Sequence, residues 1–211
     1  MTTKTAEVVT ITPPKFRRIK VRLVGTAPYV QARFSAKAMQ AIKAKQEAGS
    51  TAAKGNKKAA RDFDEDFRQA QHLSSDGWIG VPASALRNAC IDVCRMAGFK
   101  MTHARMSIFV ESDGLDSVDG MPLVRLDAPE PERMEMMTRN ATGVADLRVR
   151  PMWREWAINA VIRFDEDQFT VSDVFNLLAR AGEQVGIGEG RPFSKSSNGM
   201  GFGTFEVSAD E

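Results

Sequence analysis

The sequence predicts an α+β domain built on an antiparallel sheet, and two observations lead there. Stretches whose apolar residues recur every second position are interspersed with stretches of helical spacing. Their order, strand, helix, strands, strand, helix, strand, is that of a ferredoxin-like (RRM-like) antiparallel sheet, here with helical and hairpin insertions. At 211 residues, 43% hydrophobic and 27% charged, the chain fits a single globular domain spanning 1–211.

Residues 16–26 alternate, with Ile19, Val21 and Leu23 on one side and Arg18, Lys20 and Arg22 on the other, as a half-buried strand does. A helix is expected over 35–46. The small, polar and basic residues of 49–60 cannot build a core, so this stretch reads as a mobile loop. With a short polar helix over 62–72, it makes 35–76 a helical and basic-loop insertion. A brief strand at 78–81 leads through Pro82 into a helix that Ser84 caps and Gly98 ends. Strands are expected at 106–111 and 122–126. Residues 127–155 form a hairpin insertion, and 148–164 reads as an extended arm or long strand entering the sheet at Trp156. Val171, Val174, Phe175, Leu177 and Leu178 have helical spacing over 170–181, with Ser172 as the cap. A glycine-rich loop then feeds a last strand.

Composition narrows the function classes. No stretch reaches about 20 consecutive apolar residues, and the start lacks the apolar core of a signal peptide, so a cytoplasmic protein without a membrane partner is expected. Cys90 and Cys94 lie one helical turn apart and suit buried thiols. With only His72 and His103 besides, no usual zinc spacing arises, and neither metal nor other cofactor is expected. The net charge is only +2, but it is segregated, with lysines gathered over 37–58 and acids over 113–135.

The ending carries the most chemistry. A dinucleotide fold needs its glycines between strand and helix, whereas Gly186, Gly188 and Gly190 follow a helix and precede a strand. Lys195-Ser196 lacks the glycine frame of a Walker loop. What remains is a basic loop whose Arg191, Lys195, Ser196 and Asn198, with its backbone N–H groups, suit phosphates, and whose Gly186, Gly188, Gly190, Gly199, Gly201 and Gly203 permit close backbone approach. Phe202 and Phe205 echo the rings of RNA-recognition strands, although Phe205 suits a core position equally well.

Two segments resemble the RAMP superfamily. Gly186-Ile-Gly-Glu-Gly-Arg191 through Gly199-Met-Gly-Phe-Gly203 is similar to its glycine loop, and Val81-Pro-Ala-Ser-Ala-Leu-Arg87 to its strand-to-helix element, with Asn88 where the family usually has glycine. The resemblance implies a protein like the backbone subunits of CRISPR effector complexes, which grip the sugar-phosphate chain of a guide RNA, polymerise head to tail and insert a hairpin thumb between bases. Ser84 and Arg87 would then face phosphate at a helix start. A thumb over 134–156 would carry Arg139, Asn140, Arg148 and Arg150 with Trp153 as an apolar wedge. Lys54, Lys57 and Lys58 would add electrostatic attraction.

His72 and His103 belong to no recognisable catalytic constellation, so a non-enzymatic binder is expected. Its partners would be single-stranded RNA or DNA, further copies of itself, and other effector-complex or phage proteins. The alternatives are a phage single-stranded DNA-binding or annealing protein, a RAMP-type processing endonuclease, and a virion or assembly protein whose glycines only shape a turn.

Overall fold

The computed structural model describes residues 12–34, 36–47, 61–139, 145–193 and 199–208. In β1 (Phe16–Gly25) the alternation becomes two faces, with Val21 and Leu23 buried and Phe16, Arg18 and Lys20 exposed. The chain bends into the two-residue β2 (Tyr29–Val30). α1 (Ala36–Glu47) and α2 (Phe63–Gln69) follow, and most of the lysine-rich stretch between them, 48–60, lies outside the described residues. Asp62 starts α2 by accepting the backbone N–H groups of Asp64 and Glu65.

β3 (Gly80–Pro82) runs straight into α3 (Ala83–Met96), whose buried stripe includes Leu86, Cys90, Val93 and Cys94. Ser84 does not cap it: Pro82 holds that position, Ser84 lies exposed in the first turn, and no side chain closes this end. Gly98 does end it, because its φ of +76° lets the Gly98 and Phe99 N–H groups turn back onto the Arg95 and Cys94 carbonyls. Both cysteines are buried and free, and burial pushes the Cys90 thiol up to about 12 and the Cys94 thiol up to about 11.

The strand expected from residue 106 begins two residues later. Good helix formers carry α4 (Met101–Ser107) up to β4 (Ile108–Glu111). β5 (Gly114–Leu115), β6 (Pro122–Asp127) and the hairpin of β7 (Glu132–Arg139) and β8 (Ala145–Trp153) come next. The stretch 148–164 divides between β8 and β9 (Ala157–Asp165). α5 (Val171–Arg180) is capped by Thr170 rather than Ser172, which already lies within the helix. The Thr170 hydroxyl accepts the Asp173 N–H while the Asp173 carboxylate accepts the Thr170 N–H. A π-helical turn over Ala181–Val185 and the strand β10 (Phe205–Val207) complete the order.

The fold is thus α+β with antiparallel sheets. The larger sheet runs β10-β1-β9-β6-β3; β4 pairs with the edge of β9 that β6 also uses, and β5 pairs with β6. Along β1, β4, β9 and β10 the spatial order is β10-β1-β9-β4, with α3 between the first two in sequence and α5 between the last two. Val21, Leu23, Ile158, Ile162 and Phe164 meet Leu86, Val93, Val174 and Leu178 of these helices in one core. The smaller sheet, β2-β8-β7, is the hairpin joined to the main body through Tyr29 and Val30. Among the described residues no helix is long and apolar enough to cross a membrane.

Candidate nucleic-acid interface

A cleft of about 320 Å³ opens where the glycine loop faces the start of α3. Gly188 to Arg191, Pro82 and Ala85 line it together with Tyr29, Gln31, Ala32 and His72. The two segments that resemble RAMP elements, a hundred residues apart, therefore border the same space. Among the described residues no side chain caps the start of α3 there, an arrangement that favours anions.

The loop is built by its own main chain. Glu189 donates its N–H to Val30 O at 2.9 Å, Ile187 to Gly203 O at 2.9 Å, Phe202 to Gly190 O at 3.1 Å and Gly203 to Pro28 O at 2.8 Å. At Gly188 a Cβ would meet Val30 O and the Tyr29 ring, and at Gly203 it would overlap the Ile187 carbonyl. Gly186 and Gly190 are likewise closed in, by Pro192 and Phe202. The close approach expected of these four is thus made by the protein itself; at Gly199 and Gly201 no described residue lies within 4 Å of where a Cβ would be. Lys195, Ser196 and Asn198 lie outside the described residues, as do Asn140, Lys54, Lys57 and Lys58.

The arginines divide by location. Arg191, half-buried, donates to Gly188 O at 3.0 Å and borders the cleft. Arg148 and Arg150, on one face of β8, both donate to the Glu189 carboxylate, at 3.3 and 2.6 Å, and so tie the hairpin to the glycine loop. Arg87, expected at phosphate, is instead bonded to the Ile108 carbonyl at 2.8 Å and to that of Arg105, with its guanidinium 5.1 Å from the Phe109 ring centre. These are carbonyls that the end of α4 leaves without helical partners, and Arg87 serves them. The Arg139 backbone pairs with Ala145 near the end of the hairpin.

Trp153 is a further correction. Expected as a wedge for bases, it is 1% exposed and stacks on Tyr29 with ring centres 5.7 Å apart, because the β2–β8 pairing brings the two residues opposite each other. Trp156, where the long strand was expected to enter the sheet, is core, its indole N–H donating to Ala27 O at 2.8 Å. Phe205 is buried as well, which assigns that ring to packing. The exposed apolar pair on the hairpin is Met137, 77% exposed, opposite Leu147, 38% exposed.

The residues that sequence reasoning missed lie beside the cleft. Asp116 accepts from Arg33 at 3.2 Å and from the backbone of Val118 at 2.9 Å, and its other oxygen lies 3.0 Å from His72 Nδ1. Gln31 accepts the His72 backbone N–H at 2.9 Å and donates to Gly80 O at 2.7 Å. Burial opposes the Asp116 charge, but the Val118 N–H, His72 and Arg33 outweigh it and hold the carboxyl below its ordinary range. For His72 burial prevails over the attraction of Asp116 and lowers its pKa, so the ring is neutral at pH 7. These partners stand 41 to 83 residues apart, and no local signal links them. His103, the other histidine, is exposed on α4 with its ring against Phe99.

No protein-family model matches the chain, and no curated protein matches it.

Proposed function

We propose that the chain is a RAMP-type protein of ferredoxin-like topology that binds a single strand, RNA in the first instance, by its sugar-phosphate backbone and assembles head to tail along it without cutting it. One observation carries this reading: the two segments that resemble RAMP elements line one cleft. The strand order β10-β1-β9-β4 with its two helical crossovers supports the topology.

The cleft offers donors suited to phosphate in Arg191 and the start of α3, which no side chain caps among the described residues. Among the described residues it presents no organised set of base-reading groups, so binding depends on salt and is largely indifferent to sequence. Met137 and Leu147 give the hairpin an apolar end, in place of Trp153, to set between unstacked bases.

The test is titration of labelled single strands at several salt concentrations, with native mass measured on strands of increasing length. Affinity is expected to fall with salt, the number of bound copies to grow with length, and Arg191→Ala to weaken binding about fivefold, roughly 1 kcal/mol. Absence of binding at low salt, or strong discrimination between unrelated strands of equal length, overturns the proposal.

A further inference from the structure

We infer that His72, oriented by Asp116 at the cleft, accepts a hydrogen bond from the 2′-hydroxyl of the bound strand and thereby selects RNA over DNA, an assignment that rests on the cleft being the strand-binding site. An ionised carboxylate only accepts, so the ring proton of His72 sits on Nδ1, directed at Asp116 3.0 Å away. Nε2 then carries a lone pair. It has no hydrogen-bond partner among the described residues, and His72 borders the cleft.

The surroundings make this lone pair distinctive. Arg191 and the backbone N–H groups at the start of α3 donate and match the acceptor oxygens of phosphate. The Glu189 carboxylate is taken by Arg148 and Arg150, and the Tyr29 hydroxyl is buried and accepts from Gln31 at 3.2 Å. A sugar hydroxyl is the group of a nucleic-acid backbone that needs an acceptor, and DNA lacks it. The charges near the ring are Asp116, Arg33 and Asp119, with Glu189 and Arg191 lining the same cleft. Arg33 favours the neutral ring, and Gln31 fixes the backbone of His72. The acceptor is therefore held in place before the strand arrives.

The test compares RNA, DNA and fully 2′-O-methylated RNA of one sequence on the intact protein and on His72→Asn. Asparagine puts an amide N–H where Nδ1 was, keeping the bond to Asp116, and leaves nothing in the place of Nε2. The wild type is expected to prefer RNA about fivefold to tenfold over both other strands, the contribution of one hydrogen bond. In His72→Asn that ratio is expected to fall to about one, with DNA affinity and melting temperature kept.

Equal wild-type affinity for RNA and DNA, or an RNA preference retained by the variant, overturns the inference while leaving the cleft reading intact. Loss of binding to all three strands by the wild type instead defeats the cleft reading and this inference with it. Should the variant not fold, the methylated strand still decides, since it keeps the ribose but cannot donate; if it binds the wild type as tightly as RNA, the inference fails. RNA shortened by the wild type but not by the variant overturns a purely binding role for His72.

Discussion

Gly201 and Gly203 stand two residues apart in one loop, both with positive φ, 80° and 66°, and their surroundings have nothing in common. Gly203 has backbone on the side where a Cβ would project, whereas nothing lies within 4 Å of that position at Gly201. The same residue type thus answers two demands. At Gly203 the protein needs its own chain close; at Gly201 only the turn is needed.

The difference between them can be broken by substitution. Gly203→Ala is expected to cost about 4 kcal/mol, the sum of a left-handed strain and a backbone collision that no rotamer relieves, and chemical denaturation measures it. A cost near 1 kcal/mol would show that the loop shifts freely and that the two glycines are alike.

Next in size is Trp153→Ala, at about 3 kcal/mol, the low end for a large buried ring because its indole N–H is buried without a partner among the described residues. Met137→Ala on the same hairpin is expected to change stability by less than about 0.5 kcal/mol, so thermal unfolding of the two variants separates its buried base from its exposed end. Gly201→Ala is expected to cost about 1 kcal/mol from φ alone while reducing strand affinity by more than that, which a pair of melting and titration curves resolves. Affinity unchanged in Gly201→Ala makes the open space incidental.

The smallest effect is one of pH. Because the folded-state pKa of His72 lies below the ordinary 6.5, the unfolded chain binds the proton more readily. The stability that His72 contributes is therefore complete above 6.5 and is lost as pH falls from there toward the lowered folded value. Asp116 adds a second loss only at and below its ordinary 3.8. Melting temperature is expected to drop between pH 6.5 and 5 in the wild type and to drop less in His72→Asn.

What the sequence disclosed follows from the range over which each force acts. Alternation in β1, the spacing of Val174, Leu177 and Leu178, and the Gly98 stop are local, and each was legible. The two-residue strands β2 and β5 are too short for any period to register. Trp153 and Trp156 have the same local character, and what buries Trp153 is Tyr29, on a strand more than a hundred residues earlier. The glycine motif was visible, but not that four of its members are filled from within. The Asp116–His72–Arg33 cluster is the extreme case, assembled from three separate segments.

The position of β1 between β9 and β10 has a consequence for biosynthesis. Its residues pair with partners more than 130 positions later, and Thr26 bonds to Thr204 across 178 residues. During translation β1 leaves the ribosome with both edges open and keeps them so until more than 130 further residues have been made. High contact order of this kind slows folding, and an unpaired strand seeks other partners in the meantime. The alternating Arg18, Lys20 and Arg22 give the waiting strand a like-charged face that repels another copy of itself. The same charges that dress the finished sheet thus keep nascent chains apart.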